Sequence, residues 1–405
     1  MKKLILCIII VLIVLMSSIG VTTAFNFSIN TDTKASIQVT SNGYNIQWIK
    51  EYGNSAWTDA RYQGPQPIGD CDNDGKNELL ISGRDCTIRV MKWVENDQTY
   101  SQVYALRPPF YPLIHCDAGG MAIGDVTNDG KNEVAATWYT TVYRYIAFKY
   151  WIIGINPWIF FNGGGSADCL IGDCDNDGKN ELILSGGGGR QSSTVGEITV
   201  FKWNGFSLQR VAEWNDPDTG GYVYMAGLGD VDNDGENEIV CAYENKVMVL
   251  NWDAQNNTFI STRIYRSLVQ DSPFGVVCKD CDNDGKAEIL LSYYAPRITI
   301  FKWNGSGYPI QFDITWPDGD PVIEGIDVGD ADDDGLNEVC AGAGVTHILQ
   351  WNGTTYVEEA VLPTFGWMAV VCIGDCDNDG KNEINAGNVE VASGQQFTEW
   401  VFKYG

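Results

Sequence analysis

Histidine is almost missing from this 405-residue chain, with His115 and His347 its only copies. Neither sits in a metalloprotease motif, and no nucleophile elbow is present, so the commoner hydrolytic constellations have no foothold. The Gly186–Gly189 run lacks the Lys-Ser/Thr of a phosphate loop and leads into a strand expected at Glu197–Trp203, which makes it a surface turn. Positive charge is the second shortage. Lys and Arg number 26 against 53 Asp and Glu, a net charge of −27 and a pI near 4.2. Such a field repels a polyphosphate backbone and argues against nucleic acid as a partner. Beyond the N-terminus no second membrane span or C-terminal anchor signal follows. Apolar residues are not scarce: 44% hydrophobic and 12% aromatic is enough to order a core, and 45 Gly with 14 Trp suggest many short strands and turns.

The first 24 residues read as a signal peptide. Lys2 and Lys3 precede the apolar run Leu4 to Met16, and Thr22-Thr23-Ala24 offers a small-residue cleavage site before Phe25. The competing reading is an uncleaved membrane anchor, because apolar character continues through Ile19 and Val21. Either way the expectation is a secreted or cell-surface protein, with membrane attachment only through this segment. Residues 25–40 are read as a linker.

Self-similarity organises the remainder. The string Asp-x-Asp-x-Asp-Gly-x-x-Glu starts at Asp70, Asp173, Asp230, Asp280, Asp330 and Asp375, and a seventh copy at Asp125 carries Thr127 in place of the second Asp. Apolar runs flank each copy, so each loop joins two strands. A third strand tends to end in an aromatic, at Trp93, Trp203, Trp252, Trp303 and Trp351, with Tyr150 or Trp151 in the second copy. Asn-Gly follows at Asn204, Asn304 and Asn352, a dipeptide suited to a left-handed hairpin turn. A fourth strand then runs outward. Four short strands in about 50 residues, repeated, is the pattern of propeller blades.

The predicted fold is therefore an all-β, seven-bladed β-propeller with four-stranded blades, filling residues 41–405. The last repeat stops at Gly405 after three strands, and the segment from Asn42 to Glu51 matches the missing turn and outer strand. The N-terminal strand is expected to complete the last blade and close the ring.

Oxygen ligands at alternate positions of a tight loop, with Gly at the sixth, suit a hard cation such as calcium. The expected ligands are Asp70, Asp72, Asp74, the carbonyl of Lys76 and Glu78 in the first loop, and Asp125, Thr127, Asp129, Lys131 and Glu133 in the second. The third and fourth offer Asp173, Asp175, Asp177, Lys179 and Glu181, and Asp230, Asp232, Asp234, Glu236 and Glu238. The fifth offers Asp280, Asp282, Asp284, Lys286 and Glu288. Asp330, Asp332, Asp334, Leu336 and Glu338 form the sixth set, and Asp375, Asp377, Asp379, Lys381 and Glu383 the seventh. Magnesium, octahedral and slow to lose water, is the poorer match. An EF-hand is excluded, since its Glu stands twelfth, where this chain has Ile81, Ala136, Leu184, Cys241, Leu291, Ala341 and Ala386. Up to seven Ca2+ ions are expected, the Thr127 loop being weakest. Loss of Lys2 and Lys3 on cleavage takes the charge from −27 to −29, and seven dications return it to −15.

These repeats resemble the FG-GAP or VCBS repeats of integrin α-chain propellers. The resemblance covers residues 41–405 and implies calcium on one face and ligand binding on the opposite one. Receptor signalling is not implied, because no leg or transmembrane domain accompanies the propeller.

The opposite face is expected to hold Trp57, Tyr62, Phe110, Tyr111, Trp138, Tyr139, Tyr222, Tyr224, Tyr293, Tyr294, Trp316 and Trp367, with Asp59, Arg61, Asp216, Asp218, Asp318 and Asp320. Aromatics beside carboxylates suit a sugar or a protein partner; the alternative is that they plug the central channel. The apolar stretch from Tyr143 to Phe161 is read as ordinary blade packing. Cys71, Cys174, Cys281 and Cys376 recur at the second loop position as small apolar filler, while the pairs Cys169–Cys174, Cys278–Cys281 and Cys372–Cys376 remain open as disulfides. Sequons stand at Asn26, Asn256, Asn304 and Asn352. The function expected is an exported calcium-binding module for a glycan or extracellular protein. The alternative is a carbohydrate-active enzyme, such as a polysaccharide lyase, with a base among Arg61, Arg190, Arg266, His115 or an Asp in the central crater.

Overall fold

The second strands of most repeats are apolar on both faces, which only a strand covered on both sides tolerates. In the computed structural model Leu79, Leu80 and Ile81 are each 0% exposed, as are Ile289, Leu290 and Leu291. The structure describes residues 41–53, 67–83, 85, 87–107, 117–139, 143–149, 158–162, 168–186, 197–217, 221–267, 272–317 and 322–405. The signal segment 1–24 and the linker 25–40 lie outside them.

Within the described residues the chain is an all-β propeller with four-stranded blades. One blade shows the plan: Pro273–Lys279, Glu288–Tyr293, Ala295–Phe301 and Ile310–Thr315 form an antiparallel meander in sequence order. Six of the seven four-stranded sheets follow it. In the remaining one Trp367–Gly374, Glu383–Glu390 and Thr398–Tyr404 are joined at the outer edge by Tyr44–Glu51, from Tyr44 opposite Tyr404 to Glu51 opposite Thr398. Burial falls outward. The fourth strand Tyr356–Leu362 alternates, and Val103, Ile260 and Ile310 are exposed on outer strands.

Neighbouring sheets share their cores. Cys281, Leu290, Ile298 and Ile300 of one sheet pack with Ile326, Val328, Val339 and Ala341 of the next. The inner strands approach closely where each meets its acidic loop, and small residues there make this possible: a Cβ at Gly124 would come within 2.9 Å of Ile171. Lys279 takes that place in its blade and bridges to the next one through Asp327 (2.6 Å) and the Val328 carbonyl (2.9 Å).

Two local expectations change. The Asn-Gly turns are not two left-handed residues in succession: Gly205, Gly305 and Gly353 have φ of 92°, 90° and 89°, but the preceding Asn residues are absent from the positive-φ set. Instead Asn204 Oδ1 accepts from the N–H groups of Phe206 and Ser207, both at 2.9 Å, so the Asn acts as a side-chain cap of a longer turn. Second, the nine described cysteines are all buried free thiols, which leaves Cys169–Cys174, Cys278–Cys281 and Cys372–Cys376 unpaired and supports the filler reading.

Candidate metal-binding loops

Each acidic loop leaves an inner strand and delivers its ninth-position Glu as the first residue of the second strand. Those glutamates, Glu78, Glu133, Glu181, Glu238, Glu288, Glu338 and Glu383, are at most 1% exposed. The loop backbone is folded around its own carboxylates. Asp70 Oδ1 accepts from Asp74 N–H at 3.0 Å and Oδ2 from Gly75 N–H at 2.9 Å. Asp74 Oδ1 accepts from Lys76 N–H (3.0 Å), and Glu78 Oε2 reaches back to Cys71 N–H (3.0 Å). The loops at Asp173, Asp280 and Asp375 repeat this scheme. In the Asp330 loop Asp334 N–H turns instead to Asp332 Oδ1 (3.1 Å). The seventh-position residues Lys76, Lys131, Lys179, Glu236, Lys286, Leu336 and Lys381 thus meet the fifth-position Asp through their N–H groups.

Two positions bend left-handed. Gly at the sixth was read from the sequence, and φ at Gly75 is 86° with open space around a would-be Cβ, so backbone conformation alone demands the glycine. The fourth position was missed. Asn73, Asn128, Asn176, Asn233, Asn283, Asp333 and Asn378 all have φ between 58° and 65°. All but Asn233 clasp the next loop through their side chains. Asn73 Oδ1 accepts from Asn132 N–H (2.7 Å), Asn73 Nδ2 donates to the Asn132 carbonyl (3.0 Å), and Asn132 Nδ2 donates to the Asp70 carbonyl (2.9 Å). The recurrence of Asn at loop positions four and eight was the available signal.

What remains is a gathering of carboxylate oxygens. Ligand atoms of Asp70, Asp72 and Glu78 lie within 4.8 Å of one another, as do those of Asp125, Asp129 and Glu133, of Asp173, Asp175 and Glu181, of Asp230, Asp232 and Glu238, and of Asp280, Asp282 and Glu288. Several oxygens are buried without a hydrogen bond: Oδ1 of Asp72, Asp175, Asp232, Asp282 and Asp330, and Oε1 of Glu338. Buried acceptors left unmatched are costly, and an all-oxygen anionic donor set is what a hard dication takes. The residues fit such an ion. The Asp125 loop differs in one contact: the Thr127 hydroxyl donates to Glu133 Oε1 (3.2 Å), which engages one carboxylate oxygen within the loop.

Burial sets the acidity of these groups. It raises Glu133, Glu288 and Glu383 to about 7 and Glu238 and Glu338 to about 8, reinforced by the loop aspartates and opposed by hydrogen bonds. A dication among them reverses that balance and holds them ionised.

Four lysines of the third strands were also missed. Lys92 Nζ lies 2.9 Å from Asp72, 2.5 Å from Asp74 and 3.0 Å from Glu78. Lys202, Lys302 and Lys403 make the same triple contact with the loops at Asp173, Asp280 and Asp375.

On the opposite face Tyr224 stacks on Phe274 at 4.6 Å, and Tyr294 meets Phe274 at 4.9 Å and Trp367 at 6.3 Å. Tyr222 packs on Tyr224 at 4.8 Å. These rings pack on one another, with Tyr294 41% exposed, while Tyr293 is buried. Asp216 is not a surface acid: it is buried in an ion pair with Lys246 and a 2.7 Å hydrogen bond from Tyr243. Trp316 stacks on His347 at 4.4 Å, and His347 Nδ1 is 2.7 Å from Glu358. Trp57, Asp59, Arg61, Tyr62, Phe110, Tyr111, His115, Arg190, Asp218, Asp318 and Asp320 lie outside the described residues, as do the side chains of Trp138 and Tyr139.

Fold and loops together define a β-propeller with acidic loops between its inner strands. Residues 230–291 match the family model for the FG-GAP-like repeat, in keeping with an integrin-like FG-GAP propeller. No curated protein matches the sequence. Among solved structures, the RRP9 WD40 repeats are 12% identical with a TM-score of 0.57, covering 91% of this chain and 100% of that one. BBS1N, from its complex with ARL6DN soaked with mercury, is also 12% identical with a TM-score of 0.57, covering 91% and 98%. At such identities the likeness is one of fold.

Proposed function

We propose that this chain is an exported, calcium-binding, seven-bladed propeller that serves as an extracellular binding module. In this reading each four-stranded sheet is one blade of a closed ring, and up to seven loops take Ca2+ through their first, third, fifth and ninth residues. The ion supplies charge neutralisation and ties the loop to the buried start of the second strand. The observation that carries the proposal is the set of buried, unbonded carboxylate oxygens at Asp232, Asp330 and Glu338, gathered on loops whose backbone donors are already used. The opposite face, with Tyr294 exposed beside Trp367, is assigned to a glycan or extracellular protein.

Thermal unfolding of the full chain tests the metal. With millimolar calcium the melting temperature should stand many degrees above that in a chelator, in line with extracellular sites of roughly 0.1 to 1 mM affinity. Identical melts in both conditions would remove calcium from the proposal.

A further inference from the structure

The acidic loops divide by what faces the ninth-position Glu from the third strand. In the register of the last sheet, Glu383 stands opposite Lys403, and the neighbouring pairs Leu79–Met91, Leu182–Phe201 and Ile289–Phe301 place Lys92, Lys202 and Lys302 in the same position. Each ammonium reaches three carboxylates of its loop. For Lys302 the distances are 2.5 Å to Asp282, 2.9 Å to Asp284 and 2.8 Å to Glu288. In two other loops the facing residue is a neutral amide. Asn251 donates to Glu238 Oε1 at 3.2 Å, and Gln350 stands opposite Glu338. The residue facing Glu133 lies outside the described residues.

The Asp330 loop goes furthest. It carries Asp333 at the fourth position, where the other six loops have Asn. The outer strand adds Glu359, lifted by burial and by Asp332 and Asp334 to about 7, with Oε2 buried and unbonded. In two other sheets that bulged outer-strand place holds an amide, Gln311 donating to Asp282 at 2.5 Å and Gln47 to Asp377 at 2.6 Å, and in three more it is apolar, at Val103, Val211 and Ile264. Glu338, 0% exposed, aims an unbonded Oε1 into the same cluster.

We propose that Lys92, Lys202, Lys302 and Lys403 are built-in counter-cations that compete with a divalent ion for their loops, so that the Asp330 loop is the high-affinity site and the lysine loops are weak ones that hold their shape without metal. This rests on the calcium reading of the loops. The physics is charge competition: an ammonium within 3.3 Å of the carboxylate oxygens neutralises part of their field and repels an incoming dication, whereas six uncompensated carboxylates attract it. The Asp230 loop, with Asn251 but no extra acids, falls between.

The test uses the full chain, calorimetric binding of calcium chloride, and melting in chelator. Lys302→Gln should move its loop from the weak class to the intermediate one of the Asp230 loop, with affinity at that loop raised by about tenfold or more, and should lower the melting temperature in chelator while leaving it nearly unchanged in calcium. Gln350→Lys should do the reverse, removing one tight site and raising the chelator melt. Isotherms of both variants that coincide with a calcium-binding wild type overturn the counter-cation role and leave calcium binding standing. No heat and no calcium-dependent melt in any of the three proteins overturn the calcium reading, and this inference with it.

Discussion

At the scale of single residues, a buried carboxylate outside the loops gives the cleanest pH signature. Asp168, buried on an inner strand and accepting from Cys169 N–H at 2.8 Å, is raised by desolvation from 3.8 to about 7. Between those values the folded chain keeps a proton that the unfolded chain has released, so stability falls as pH rises through that window and levels off above it. Asp168→Asn keeps the acceptor and removes the charge. Urea unfolding at pH 4 and pH 8 should show the wild type losing on the order of a few kcal/mol relative to the variant; parallel behaviour would count against an ionising Asp168. The acidic loops themselves were legible as letters, because an alternating Asp-x-Asp-x-Asp-Gly string encodes its own turn geometry. The left-handed Asn at the fourth position was not, since its partners, such as Asn132 for Asn73, lie some 60 residues away in the next loop.

At the scale of elements, loop-to-loop clasps knit the rim that carries the acidic loops. The clasp recurs between the loops at Asp70 and Asp125, Asp125 and Asp173, Asp173 and Asp230, Asp280 and Asp330, and Asp330 and Asp375. Asn77 Nδ2 to the Asp375 carbonyl, at 2.8 Å, joins the last loop to the first. Ala287 breaks the series between the Asp230 and Asp280 loops, because it has no amide to donate. Asn132→Ala should therefore cost about 1 kcal/mol, and Ala287→Asn should return a similar amount at the one unclasped junction. Chemical denaturation of both variants in the same buffer checks the pair of signs, and a destabilising Ala287→Asn would mean that this junction is shaped differently. Strand patterns were readable where burial is one-sided or total, as in Tyr356–Leu362 and Glu288–Tyr293. The lysine contacts were not, because a third-strand Lys looks like an ordinary solvated residue until the register sets it against the buried Glu.

At the scale of the whole molecule, closure was legible from a deficit: three strands at the C-terminus and a lone turn and strand near the N-terminus. Tyr44–Glu51 fills the outer edge of the last sheet, with Tyr44 0% and Trp48 5% exposed. Tyr44 packs on Tyr404 at 5.0 Å, and Trp48 meets Tyr100 of the adjoining sheet at 5.4 Å, so this strand serves both its own blade and the one that follows it in sequence. Burying two such rings is worth on the order of 2 kcal/mol or more apiece, and the strand also covers an edge that would otherwise offer unpaired N–H and C=O groups to another chain. Deleting residues 1–51 should thus lower the melting temperature by many degrees and produce concentration-dependent association in sedimentation velocity. A synthetic peptide spanning Tyr44–Glu51 should reverse both by pairing with Thr398–Tyr404, with half-saturation moved by Trp48→Ala but not by substitution of exposed Ile49. A truncated chain that stays monomeric and melts with the full-length protein would show that the remaining three strands need no partner at their edge, and that closure rests on the Asn77 clasp and the inner-strand packing alone.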